Sequence, residues 1–158
     1  MANTQSMCTS FMGELMTATH NFGTAPTRGT SATDTFKAAL YLTSATVNAS
    51  TTAYSASNEV SGTGYSAGGV TVTAATPPTA TNSSATAGVA FFTPSASIVY
   101  TTVTLSTAFD AVLIYNSSQS DKSVSVHTFG SQTITAGTFT LTMPTNNTTD
   151  ALLRLATT

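Results

Sequence analysis

The most conspicuous shortage in this chain is charge. Asp, Glu, Lys and Arg together make 6% of its 158 residues, against roughly a quarter in an average soluble domain. Only Arg28, Lys37, Lys122 and Arg154 are basic, they are scattered, and the net charge is -2 with a pI near 5.4. That argues against a nucleic-acid binder, which displaces counterions from phosphates with clustered Lys and Arg. Cysteine occurs once, at Cys8, so an internal disulfide is excluded and packing must supply the stability. Tryptophan is absent. No apolar run approaches the ~20 residues of a membrane span, and the opening MANTQSMCTSFMGELM has neither the basic start nor the unbroken apolar run of a secretory signal. The expectation is a protein with no membrane partner, made and kept in a cytoplasm until it is assembled.

Ser and Thr stand where the charge is missing. Disordered chains combine low hydrophobicity with high net charge, whereas here the apolar share is 41% and the mean hydropathy +0.15, so the chain is read as folded. Its length suits a single domain over 1–158 with one core. Thr is β-branched and can occupy the wet face of a strand while Val, Phe, Leu or Tyr fill the dry one, which points to an all-β fold. A surface this poor in charge resembles the centre of a protein interface more than the mixed-charge coat of a free monomer. The chain is therefore expected to be a homo-oligomer or to be covered by other subunits.

Along the chain, one segment has helical period. Cys8, Phe11, Met12, Leu15 and Met16 recur at i, i+3, i+4, i+7 and i+8, predicting an amphipathic helix over about 6–20, stopped at Gly23, whose Met-rich face packs on the sheet or docks on a neighbour. TAPTRGTSAT, 24–33, reads as a loop. Phe36 to Leu42 alternates with period two and opens a β-sandwich spanning about 34–156. Thr43 to Ser61 has few apolar anchors and reads as a long surface loop with a helical turn near Ser55 to Glu59; loops this long are usually functional. Gly62, Gly64, Gly68 and Gly69 surround Tyr65, predicting a tight bend with Tyr65 tucked beneath it. GTGYSAGG lacks the Gly-Lys-Ser/Thr ending of a phosphate loop and precedes a strand rather than a helix. Further strands are expected at 70–74, 89–93, 98–105, 110–116, 122–130, 138–143 and 151–156, with 75–88 a hairpin tip. DAVLIYN, 110–116, is the most apolar run and the candidate central strand. Eight to ten strands favour two packed antiparallel sheets over one.

Residues that could carry chemistry are few. Catalytic and metal sites need several His, Cys, Asp or Glu converging, and the carboxylates Glu14, Asp34, Glu59, Asp110, Asp121 and Asp150 fall in different elements, where turn and cap duties account for most of them. An Asp34–Glu59 pair could take Ca²⁺ with loop carbonyls, but turn chemistry is the plainer account. His20 and His127 have no ligand-spaced partner, and Cys8 lies on the apolar stripe with nothing cationic beside it to favour a thiolate. The reading is no enzyme, no cofactor and no metal.

The ordered set DTFKAALY, TTAY, NEVSGTGYSAGG and AVLIYN, together with the N-terminal Cys-x-x-Phe, resembles a group of small virion structural proteins of tailed bacteriophages, over roughly Asn3 to Leu155. The resemblance implies a compact β-sandwich on the particle: a capsid decoration or cement protein partnered by the major capsid protein or other virion proteins, or a tail or fibre component. It carries over no enzymatic residue. The chain departs from the pattern in having Tyr100, and no Trp, in the strand 98–105, and in the Ala/Thr-rich segment 74–88. A carbohydrate- or host-surface-binding module is the alternative of another class. The candidate contact residues are Phe11, Met12, Leu15 and Met16 on the helix and Val47, Asn48, Tyr54 and Asn58 on the long loop.

Overall fold

From Ile98 to Asn116 there is no Gly or Pro to stop a strand, and β-branched and aromatic residues recur throughout. In the computed structural model this run is one continuous strand. The structure describes residues 2–16, 19–20, 22, 34–74, 78–81 and 88–156. Its elements are β1 (Ser6–Met7), α1 (Thr9–Met16), β2 (Phe36–Leu42), β3 (Val70–Val72), β4 (Thr79–Thr81), β5 (Val89–Phe92), β6 (Ile98–Asn116), β7 (Lys122–Leu141) and β8 (Leu153–Ala156). The chain is mostly β, in two antiparallel sheets ordered β1-β7-β6-β2-β3 and β4-β5-β8.

The β6–β7 hairpin is the frame. It pairs from Ile98↔Leu141 to Asn116↔Lys122 with five register shifts. The four strands expected over 98–105, 110–116, 122–130 and 138–143 are therefore two. Bulges absorb what a turn would have absorbed, and each bends the ribbon without ending it. Thr102 and Ala136 take positive φ, 53° and 46°, on the two facing strands. Beyond this bend Phe109, Phe129 and Phe139 pack edge-on or tilted, with ring centroids 5.1–5.9 Å apart. At the other end Ala111 to Asn116 is buried throughout, as befits a strand flanked by β2 and β7 and covered on both faces.

The N-terminal segment differs from its periodic reading. Ser6 and Met7 pair with Val126 and Ser125 as a strand, because the outer edge of β7 offers backbone groups that need partners. Thr17, Ala18, Asn21, Gly23 and the loop 24–33 lie outside the described residues, as do the side chains of Met12 and Met16. Of the expected hairpin tip 75–88, Thr79–Thr81 is a strand paired with β5, and 75–77 and 82–87 lie outside the described residues. The last strand begins at Leu153, two residues later than its pattern suggests.

The long loop is strapped down along its length. Thr43 N–H donates to Ala108, Tyr54 N–H to Asp121, Val60 N–H to Leu40, and Leu42 and Ser123 N–H donate to Asn58 and Thr52 carbonyls. Isolated bridges tie Tyr41 to Glu59 and Ala53 to Lys122. The expected helical turn near 55–59 is a β-turn, closed from Glu59 N–H to Ala56 C=O, with Asn58 at φ 58°, a value Asn tolerates better than most residues.

Candidate functional site

Two buried polar clusters stand out, each centred on a carboxylate. The first is Glu59. The glycine bend brings Gly68 and Gly69 through φ of 86° and 70°, and Gly69 lies so close to β2 that a Cβ there would sit 1.6 Å from the Ala38 carbonyl oxygen. Only Gly can take that position. The bend delivers the Gly68 N–H to Glu59 Oε1 at 2.8 Å and the Tyr65 hydroxyl to the same oxygen at 2.6 Å. Tyr54 donates to Oε2 at 2.6 Å. Hydrogen bonds this short to an ionised acceptor are among the strongest in proteins.

All five tyrosines of the chain gather around this carboxylate. The Tyr65 hydroxyl also accepts from Leu40 N–H at 3.0 Å, Tyr100 donates to Ala38 C=O and Tyr115 to Gly68 C=O, both at 2.8 Å, and Tyr41 donates to Ser55 C=O at 2.6 Å. Tyr54 stacks on Tyr115 with centroids 4.7 Å apart. Burial, and after it the carboxylate of Glu59, pushes the hydroxyl of Tyr41 up to about 12 and those of Tyr54, Tyr65 and Tyr100 above their ordinary value. Tyr115 also reaches about 12, through burial, then Asp121 and Glu59. These hydroxyls therefore donate hydrogen bonds and do not release protons near neutrality.

The second cluster joins the N-terminal segment to the hairpin turn. His20 Nε2–H donates to Glu14 Oε2 at 2.7 Å, while its Nδ1 accepts from Asn116 Nδ2 at 3.1 Å. The same Asn116 amide donates to Asp34 Oδ2 at 2.8 Å, and its oxygen accepts from Ser118 N–H, which fixes the amide orientation and with it the histidine tautomer. Gln119 bonds the other Asp34 oxygen at 3.1 Å, and Lys122 Nζ reaches Glu14 Oε1 at 2.6 Å. The His20 ring packs among Phe11, Phe22 and Phe36. Burial lowers the His20 pKa despite the pull of Glu14. Burial opposes ionisation of Glu14 too, but hydrogen bonds from Lys122 and His20 outweigh it and hold that carboxyl below its usual range.

Three of the six carboxylates, Glu14, Asp34 and Glu59, are thus drawn into two networks. Asp34 and Glu59 take separate partners. Asp34 precedes Phe36, which pairs with Asn116, whereas Glu59 bridges Tyr41; five residues of strand separate these levels, about 17 Å. Among the described residues no three His, Cys, Asp or Glu side chains form a metal-holding group. Cys8 is buried, and burial raises its thiol to about 11. No helix among the described residues is long and apolar enough to cross a membrane.

The candidate contact residues divide. Phe11 and Val47 are buried. Tyr54 is half-buried and turned to Glu59. Asn48 closes a turn on itself, accepting from Ser50 N–H and Oγ–H while its own N–H meets Thr51 Oγ1. Leu15 lines an apolar groove with Met7, Phe22, Phe91, Phe92 and Leu155. Asn58 alone of the loop set is exposed.

A surface feature had a sequence signal that residue-by-residue reading passes over. No Asp, Glu, Lys or Arg occurs between Glu59 and Asp110 or between Lys122 and Asp150. The exposed positions of β6 are consequently Val99, Thr101, Thr102, Ser106 and Thr107, and those of β7 run from Gly130 to Thr140 with no charge among them. Comparison of the chain with protein-family models, with characterised proteins and with solved structures finds no match.

Proposed function

We propose that this chain is a structural protein of a tailed-bacteriophage particle, a capsid decoration or cement protein that binds the assembled head as a small oligomer. In this reading the two antiparallel sheets pack as a β-sandwich, with the N-terminal helix as an amphipathic cover, and the role is assembly with no catalysis. The observation that carries it is the uncharged outer face of the β6–β7 hairpin. Free monomers keep mixed charges on such faces, and interface centres are depleted of them. Buried carboxylates held by hydroxyls and amides suit a part that must be rigid before it is docked.

Quantitative mass spectrometry of purified particles, with immunolabelling, tests it. Hundreds of copies on the head are expected. A dozen or fewer at one vertex would make the chain a tail or fibre component, and none would end the assembly reading. A host-surface carbohydrate module has one observation in its favour, a groove of about 240 Å³ beside the long loop lined by Tyr41, Thr46, Thr51, Ser55, Ser57 and Asn58. A glycan array without binding would remove it.

A further inference from the structure

Among the described residues each sheet ends in an open strand, β1 in the larger and β8 in the smaller. The two meet across one groove. It has a volume of about 330 Å³ and is lined by Gln5 to Met7 on one side, Ala151 to Arg154 on the other, and Ser125 to His127 between them. Cys8 N–H donates to Val124 C=O, and Ser6 stands opposite Val126. In an antiparallel ladder alternate residues face the partner strand, so the N–H and C=O of Met7 point away from β7. Neither has a partner among the described residues. On the far side β8 pairs, among the described residues, with β5 alone. Ser125 Oγ lies 2.9 Å from His127 Nε2, and no partner for His127 Nδ1 is found among the described residues.

We propose that this groove receives an extended strand of a different protein, recognised through its main chain by β1 and β8 and through one carboxylate by Arg154. Adding a strand to exposed edges gives affinity from backbone hydrogen bonds and specificity from the side chains around them. Arg154 is exposed and is the one residue of fixed charge in the lining, which contains no Asp or Glu. An acidic residue on the guest is the complement to this lining. Among the described residues the other open-edge strands of this chain, Val70–Val72 and Thr79–Thr81, carry no acidic residue, which favours a different protein over edge-to-edge pairing with a second copy. The inference extends the assembly reading and rests on it for the source of the guest, a neighbouring protein of the particle.

The probe is the peptide Ac-TVTVDVTVT-NH₂, titrated into the full ¹⁵N-labelled chain beside its Asp-to-Asn counterpart. Amide shifts at Met7, His127 and Leu153 are expected, with the acidic peptide binding about tenfold more tightly, the usual worth of a charge-assisted hydrogen bond. Arg154→Gln, at an exposed position that leaves folding untouched, should erase that difference. Equal binding of the two peptides, or shifts confined to other surfaces, would overturn the proposal. So would a concentration-dependent dimer in sedimentation velocity that Arg154→Gln dissolves, since the guest would then be a second copy. Particles separate the two claims. If Arg154→Gln chain loads onto heads at wild-type copy number, the groove is not the contact and the assembly reading stands. If the peptide binds as expected but the chain is absent from particles, the assembly reading fails and the groove remains.

Discussion

The Glu59 cluster and the Glu14–His20–Asn116–Asp34 cluster are both buried, both centred on carboxylates, and both tie distant segments together, yet they are built from opposite chemistry. Around Glu59 the donors are two tyrosine hydroxyls and a backbone N–H. Around Glu14 and Asp34 the donors among the described residues include an imidazole, two amides and an ammonium. The tyrosine hydroxyls of the first are held above their ordinary range, and the imidazole and the Glu14 carboxyl of the second below theirs. These two sets of groups keep their protonation across neutrality and leave it from opposite sides. The Glu59 cluster fixes the long loop and glycine bend to β2, and the other fixes the N-terminal segment to the hairpin turn, so each can be opened separately.

The largest effect should come from Gly69→Ala. Its methyl would meet the Ala38 carbonyl at 1.6 Å in a backbone conformation that side chains disfavour, so the bend must leave β2 and take Gly68 N–H from Glu59. The expected outcome is a loss of about 4 kcal/mol or no soluble protein, read by urea denaturation and yield. Glu59→Ala comes next. It leaves two tyrosine hydroxyls and one N–H without acceptors in a buried site, which should cost about 3 kcal/mol. Near-UV circular dichroism should weaken with it, because every tyrosine of the chain lies in the cluster. An unchanged spectrum would mean that packing, not the carboxylate, orders the rings.

The pH profile sharpens the contrast. His20 and His127 have folded pKa values below that of an unfolded histidine, His127 at about 4, in both cases through burial. Below about pH 6.5 the unfolded chain therefore binds more protons than the folded one, and stability falls as pH drops. Glu14, held low, adds a loss of the same sign further into acid. The tyrosines are raised, so above about pH 10 the unfolded chain releases protons first and stability falls as pH rises. His20→Gln should flatten part of the acid limb and leave the alkaline limb alone; Tyr41→Phe should do the reverse. Thermal melts from pH 4 to 11 check both, and a single substitution that moved both limbs would show that the clusters are coupled.

Much of the frame was legible because it rests on local pattern. Phe36 to Leu42 alternates as a strand should, Ala111 to Asn116 is apolar enough to be central, and the glycines around Tyr65 announce a bend. What was illegible depends on register over long separations. Tyr41, Tyr54, Tyr65, Tyr100 and Tyr115 have no common spacing, and they converge only because β2 pairs with β6 and the bend folds back on β2. In one dimension the hairpin reads as four strands because the alternation breaks near Ser106 and Gly130; in three dimensions the pairing runs on through these breaks by register shifts. His20 seemed solitary because Asn116, its buried partner, carries no signal as a ligand.

The smallest effect belongs to the Lys122–Glu14 ion pair, which joins the second cluster to solvent. Lys122 reaches Glu14 at 2.6 Å with its side chain 39% exposed, while Glu14 is 13% exposed. Water screens the outer partner, so Lys122→Met should cost only about 0.5 kcal/mol, and most of that should vanish in 1 M salt, where the Debye length is about 3 Å. The Glu14–His20 contact is different, since the imidazole side chain is fully covered and salt cannot reach it. If Lys122→Met instead proved as damaging as Glu59→Ala, the second cluster would depend on its charge and not on its amide and imidazole hydrogen bonds, and the contrast between the two clusters would have to be drawn between an ion pair and a hydroxyl cage.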